Sequence, residues 1–97
     1  MLHTINQSPF RSNALETVAR YVQPGDAVLF LEDGVYALGA GGKYEGLVTQ
    51  LMKTNAVYGL GPDVKARGLE RLVADAKLVD YEGFVDLVVE HEVNSWL

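Results

Sequence analysis

Acidic side chains follow three of the predicted strands, where a binding site of a parallel sheet would be expected. Asp33 comes shortly after the apolar run Ala27–Leu31, and Asp63 and Asp80 follow the next two predicted strands. Ligands of such sheets bind beyond the carboxyl ends of the strands, and carboxylates suit hard cations. With Glu32, these residues define one hypothesis, a stand-alone module that binds a metal ion or small molecule. Helix caps and tight turns explain the same aspartates more simply.

A glycine-rich stretch, Gly39–Gly42 followed by Lys43, invites comparison with phosphate-binding loops, but its spacing is wrong. A Walker A sequence requires glycine at position 37 and serine or threonine at 44, where Ala37 and Tyr44 stand. A dinucleotide-binding fingerprint beginning at Gly39 also requires glycine at 44. We therefore predict a flexible turn here and no cofactor.

The remaining chemical side chains indicate no catalytic machinery. His3 and His91 have no ligand spacing, and each is expected to be structural or solvated. A serine could combine with His91 and Asp33, but no Gly-x-Ser-x-Gly elbow is present. The chain has no cysteine, which excludes thiolate metal sites and cysteine nucleophiles. We predict no catalytic residue and no metal site.

Size and charge narrow the class of protein. With 97 residues, 48% of them hydrophobic, the chain is expected to form one domain spanning 1–97. Its net charge of -5 disfavours direct nucleic-acid binding. It has neither the start of a signal peptide nor an apolar run approaching the roughly 20 residues that span a bilayer. We expect a cytoplasmic protein without membrane contact.

These residues must be positioned by alternating strands and helices. The five consecutive apolar residues of Ala27–Leu31 leave neither face of a strand for water, which predicts an interior strand of a parallel sheet. The alternation along the chain predicts a three-layer α/β/α domain with four or five mostly parallel strands. The predicted strands are Leu2–Ile5, Ala27–Leu31, Ala56–Leu60 and Ala76–Val79.

Helical periodicity links these strands. Stripes at Leu15–Val22 and Tyr44–Met52 predict two helices, and Val35–Leu38 predicts a helical turn. A short helix is expected to open at Gly61 and to continue through Leu69, Leu72 and Val73.

The last helix is expected to begin at a cap formed by Asp80. Its inward stripe is predicted from the spacing of Tyr81, Phe84, Val85, Val88 and Val89. Leu87 lies off that stripe and is expected to be exposed. Trp96 near the end could contact a partner or fold back over its own domain, and the sequence favours neither.

Lys65, Arg67 and Arg71 form a small basic patch around the loop before the fourth strand. A solvated face is the simplest interpretation. A local basic patch on an acidic protein also suits an acidic protein partner.

Several stretches together resemble the DsrH/TusB family of sulphur-relay proteins. They occur in the family's order and cover the chain from end to end. The matching stretches are Leu2–Thr4, Ser8–Phe10, Leu31–Ala37, Leu60–Gly68, Val79–Leu87 and Trp96–Leu97.

The resemblance implies a subunit of a three-protein sulphurtransferase assembly. This would be a dimer of heterotrimers in which two sister subunits, TusC/TusD-like or DsrF/DsrE-like, share the same small α/β fold. The TusBCD form passes persulphide sulphur toward 2-thiolation of the tRNA wobble uridine. The DsrEFH form serves oxidative sulphur metabolism. In both, the principal acceptor cysteine belongs to a sister subunit.

Many DsrH-like members carry a cysteine of their own in the first helix, but the matching window Leu15–Tyr21 has none. Because persulphide requires a thiolate, this chain is expected to be a non-catalytic subunit, and the tRNA branch is favoured. A homo-oligomer without a relay role is a further alternative. The residues predicted to contact partners are Glu32, Asp33, Tyr36, Lys65, Arg67, Leu87 and Trp96.

Overall fold

The computed structural model describes residues 1–73 and 76–97, in which five strands form one parallel sheet. The sheet order is β4-β3-β2-β1-β5. This confirms the predicted α/β class and the parallel strand direction. The strands are β1 (Leu2–Ile5), β2 (Ala27–Phe30), β3 (Ala56–Leu60), β4 (Lys77–Val79) and β5 (Val93–Trp96).

The helices cover the two faces of the sheet unequally. Successive steps from β1 to β4 cross the sheet in one direction, so right-handed connections place their helices on one face. The return from β4 to β5 places the last helix on the other face. In the described residues no helix is long and apolar enough to cross a bilayer. The helices are α1 (Ala14–Tyr21), a 3₁₀ helix (Glu32–Leu38), α2 (Glu45–Met52), α3 (Gly61–Ala66) and α4 (Tyr81–Glu90).

The central strand β2 joins two separate apolar clusters. Val28 and Phe30 pack in a large cluster with residues of α1, α2 and α3, whereas Ala27 and Leu29 pack in a small cluster with Leu87 of α4. Alternate residues of a strand point to opposite faces, so β2 is covered on both sides. All four of its residues are buried, which confirms the predicted interior strand.

The third α-helix ends earlier than its apolar spacing predicted. The N–H of Gly68, whose φ is +68°, donates to the Lys65 carbonyl at 3.1 Å, and that of Leu69 donates to the Val64 carbonyl at 3.2 Å. These two bonds form a Schellman motif, in which glycine takes the left-handed conformation after a helix. The predicted helical continuation through Leu69, Leu72 and Val73 is therefore wrong.

The segment after Gly68 instead pairs with the end of the 3₁₀ helix. Leu72 forms an antiparallel bridge with Gly39. The N–H of Val73 donates to the Leu38 carbonyl at 2.8 Å, and the N–H of Ala40 donates to the Arg71 carbonyl at 2.8 Å. This extended segment places Val73 in the large cluster.

The orientation predicted for α4 is wrong for most of its stripe, although Phe84 is half-buried against the small cluster as expected. Leu87, expected on the surface, is 8% exposed, while Val85 and Val89, expected inside, are 56% and 80% exposed. The helix approaches the sheet along Gly83 and Leu87, since a Cβ at Gly83 would lie 3.1 Å from the Val79 Cβ. Because α4 is apolar on two sides, its periodicity alone does not identify the buried side.

Candidate functional site

At the carboxyl edge of the sheet, Arg67 joins two of the predicted acidic residues. Its Nε donates to Asp33 Oδ1 at 2.8 Å, and its Nη1 lies 3.8 Å from Asp63 Oδ1. The hydrogen bond from Arg67 to Asp33 raises the pKa of the guanidinium above its ordinary value. The acidic residues of this edge are thus compensated within the chain.

The backbone at Glu32 is held in an uncommon conformation by the same cluster. Glu32 has φ +49°, in the left-handed region that costs a non-glycine residue about 1 kcal/mol. Its N–H donates to Asp63 Oδ2 at 2.6 Å, which ties the start of the 3₁₀ helix to α3. Gly34 lies against β1, where an added Cβ would clash with the Ile5 carbonyl oxygen. This edge is therefore closely fixed by backbone contacts.

The cation-binding hypothesis loses its geometric support. Arg67 and the Glu32 N–H already use the carboxylates of Asp33 and Asp63, and Asp80 Oδ1 accepts the Gly83 N–H at 2.7 Å as the cap of α4. Within 1–73 and 76–97, no three His, Cys, Asp or Glu side chains gather as a metal-binding group would. Asp80 is a helix cap as predicted, whereas Asp33 accepts a hydrogen bond from Arg67 and Asp63 accepts one from the Glu32 N–H.

A small polar cavity of about 370 Å³ lies at this edge. In the part of the chain described, Asn6 Oδ1 is buried and accepts no hydrogen bond. The hydroxyl of Ser8 accepts the Phe10 N–H at 3.2 Å, as in a local turn. The cavity offers polar contacts but no nucleophile paired with a base. Its lining residues are Asn6, Gln7, Ser8, Arg11, Glu32 and Asp33.

The structure brings only some of the predicted partner-contacting residues together. Glu32, Asp33 and Arg67 share the cluster at the carboxyl edge, Tyr36 is exposed on the same 3₁₀ helix, and Lys65 is exposed on α3. Leu87 lies on the buried side of α4, and its side chain is not exposed at the surface. The contact prediction itself concerns an assembly and stays a prediction.

Trp96 folds back onto its own domain and completes a partly buried chain of polar contacts. Its Nε1 donates to His3 Nδ1 at 3.1 Å, so the proton of the imidazole lies on Nε2, which is 3.0 Å from Asp26 Oδ2. The ammonium of Met1 contacts Asp26 Oδ1 at 3.1 Å. This chain of contacts links β5, β1 and the start of β2. The sequence did not predict these contacts, because they depend on the pairing of the terminal strand with β1.

Asp26 is the acceptor on which this network ends. The backbone N–H of Gln23 does most to lower the pKa of Asp26 to about 2, and hydrogen bonds from His3 and the N-terminal ammonium add to it. The stabilised form is the charged carboxylate, which is what three donors favour. Each polar side chain of this network therefore has a partner within the chain.

The outer face of α4 carries four exposed large apolar side chains, more than any other helix of the described chain. Tyr81, Val85, Val88 and Val89 recur at helical spacing and are 61%, 56%, 39% and 80% exposed. Large exposed apolar patches mark interaction sites. The signal was present in the sequence as a second apolar stripe beside Leu87.

Comparisons with known proteins agree with this fold and cover nearly the whole chain. A family model described as "DsrH like protein" matches residues 7–94. The chain is 42% identical over 93 residues to "Protein TusB" of Pectobacterium parmentieri and 40% identical over 93 residues to "Protein TusB" of Escherichia coli K12. Both alignments cover 94% of this chain and 94% of the relative.

Solved structures share the fold at much lower identity. The crystal structure of the ychN protein of E. coli superposes with a TM-score of 0.79 at 12% identity, covering 98% of this chain and 97% of that one. A protein of unknown function, MTH1491 of Methanobacterium thermoautotrophicum, gives 0.69 at 17% identity, covering 98% and 96%. The family match and the identity to curated relatives establish that this chain belongs to the DsrH/TusB family of sulphur-relay proteins.

Proposed function

We propose that this chain is a non-catalytic subunit of a sulphurtransferase complex that serves 2-thiolation of the tRNA wobble uridine. The observation that carries the proposal is the absence of cysteine from all 97 residues of a sulphur-relay family member. Persulphide sulphur requires a thiolate, so a relay acting through this protein must place its thiol on another chain. The chain's contribution is then to complete the assembly around that thiol.

The exposed surface supports a role within an assembly. The outer face of α4 presents four neighbouring apolar side chains to solvent, which is unusual for a small protein that acts alone. We further propose two sister subunits of the same fold in a dimer of heterotrimers, acting in the cytoplasm. Candidate contacts also include the edge formed by Glu32, Asp33, Tyr36 and Arg67, with Lys65 beside it.

Loss of the gene tests the proposed pathway. In the source organism, deletion is expected to remove most 2-thiouridine from tRNA digests measured by mass spectrometry, and a plasmid copy should restore it. A sister subunit lacking its cysteine is the matched control and should give the same loss. Normal 2-thiouridine with impaired oxidation of reduced sulphur would contradict the tRNA branch and favour the DsrEFH-type role.

Assembly is tested separately by co-expression with the two sister subunits of that organism. Native mass spectrometry is expected to find this chain in a complex containing two copies of each protein. A chain that stays monomeric beside its sisters would contradict the proposed complex.

A further inference from the structure

The net charge of the protein is concentrated at one end of the sequence. Residues 1–77 contain eight acidic and eight basic residues, whereas residues 78–97 contain five acidic residues and no lysine or arginine. The whole net charge of -5 therefore lies in the segment that forms α4 and β5. The five acidic residues are Asp80, Glu82, Asp86, Glu90 and Glu92.

Three of these acidic residues lie on α4, along one flank of the apolar stripe. Glu82, Asp86 and Glu90 are exposed on the same helix as Tyr81, Val85, Val88 and Val89, and in the described residues none of the three forms a salt bridge. We use the name α4 face for this stripe and its three carboxylates. It combines an apolar stripe with an acidic flank, called its rim below, and both features occur at protein interfaces.

The other helical face lacks this combination. A groove of about 550 Å³ between α1 and α2 has apolar Ala19 and Leu47 in its lining, but its charged residues are of both signs. These are Glu16, Arg20 and Lys53. Mixed charges compensate one another locally and select a partner weakly, so this groove identifies no occupant.

The rim excludes several possible occupants of the α4 face. Carboxylates repel the phosphates of nucleic acids and of anionic lipids, so neither would be held there. Antiparallel pairing of two α4 faces would set the two acidic flanks against each other and is disfavoured for the same reason. A protein surface that carries lysine or arginine beside apolar side chains complements both the apolar stripe and the carboxylates of the α4 face.

We propose that the α4 face binds a sister subunit through a surface on which apolar side chains are bordered by lysine and arginine. This inference rests on the proposed function, because it assigns one of the proposed partners to a surface. The apolar stripe supplies most of the affinity, and the acidic rim speeds association and orients the partner.

Paired substitutions on the two helical faces test the apolar centre. Val85→Asp with Val89→Asp is expected to weaken binding to the purified sister pair by at least about tenfold, while Tyr21→Asp on α1 leaves it within about twofold. Tyr21 is a suitable control because it is 65% exposed and lies across the sheet. Melting followed by Trp96 fluorescence verifies that each variant folds.

Neutral substitutions test the rim. Glu82→Gln with Glu90→Gln should flatten the decline in association rate between about 50 and about 500 mM NaCl, whereas Glu16→Gln on α1 should not. Glu16 is exposed, so it matches the other two in solvation.

The outcomes separate this inference from the proposed function. If the unmodified chain binds the sister pair and the double aspartate variant binds equally well, the α4 face is not the interface, although the complex stands. If the unmodified chain does not bind the sisters, the proposed complex fails and this inference fails with it. An isolated-chain dimer in sedimentation that the double aspartate variant abolishes would assign the face to a second copy and overturn the proposal.

Discussion

The two faces of the sheet are completed in different ways. On one face, α1, α2 and α3 enclose a cluster that contains fourteen of the described buried residues, whereas the single helix α4 encloses four on the other. The difference is large enough that most of the folding free energy from apolar burial must come from the three-helix face. The α4 side buries little and leaves a second apolar stripe in water.

This contrast separates stability from recognition. The three-helix face needs nothing beyond the chain, since the residues of its cluster are enclosed by the chain's own helices. The α4 face leaves an apolar stripe and three carboxylates exposed, and in the proposed complex a sister subunit covers them. Changes on the first face are therefore expected to affect folding, and changes on the second to affect assembly.

The largest effect is expected from truncation in the three-helix cluster. Phe30 is fully buried at the end of β2 and packs in the large cluster, so Phe30→Ala should lower the free energy of unfolding by about 3–5 kcal/mol. Val89→Ala on the α4 face is the control and should change it by less than about 0.5 kcal/mol. Denaturant titration followed by Trp96 fluorescence measures both, and equal losses would contradict the difference between faces.

A somewhat smaller loss is expected where a glycine meets the backbone of β1. In Gly34→Ala the new Cβ would clash with the Ile5 carbonyl oxygen, so the free energy of unfolding should fall by about 3 kcal/mol. Gly46→Ala in α2 is the matched control: nothing lies within 4 Å of its added Cβ, and helix propensity should stabilise it by about 0.5–1 kcal/mol. Similar melting temperatures for the two variants would show that the edge is less closely fixed than described.

Truncation in the smaller cluster ranks next. Leu87→Ala removes the one buried side chain that α4 contributes to that cluster, so we expect a loss of about 2 kcal/mol in the isolated chain. The same urea titration, repeated with the sister pair present, should show part of this loss restored because bound partners stabilise the folded state. A loss equal to that of Phe30→Ala would place as much stability on the α4 side as on the other.

The smallest effect concerns the network at the amino edge. Folding lowers the pKa of Asp26 from 3.8 to about 2. The contribution of this carboxylate to the free energy of unfolding is therefore fully present above about pH 4 and is lost as pH falls toward 2. With allowance for solvent screening we expect about 1 kcal/mol. Acid titration of the unfolding free energy measures it, and Asp26→Asn should remove this component; an unchanged acid profile in that variant would contradict the assignment.

Local patterns in the sequence predicted the centre of the fold better than its ends. The apolar run at Ala27–Leu31 identified the interior strand because covering both faces requires an unbroken apolar sequence. Asp80 was correctly predicted to cap the last helix. These features depend on neighbouring residues, which a single sequence displays directly.

Features set by distant packing were missed. The terminal strand Val93–Trp96 alternates only weakly, and pairing with β1 creates it. The end of α3 could have been predicted from Gly68, because a glycine in the left-handed conformation commonly follows a helix. The orientation of α4 could not be predicted from local spacing, because the helix has two apolar stripes. The close contact between Gly83 and Val79 favours the stripe that contains Leu87.

Amide hydrogen exchange on the isolated chain and on the chain with its sister pair tests the central claim most directly. The account predicts slow exchange in α1 and α2 in both states, and fast exchange in α4 that becomes many-fold slower when the sisters are added. Protection of α4 that is already high in the isolated chain and unchanged by the sisters, with new protection appearing on α1 and α2, would contradict it.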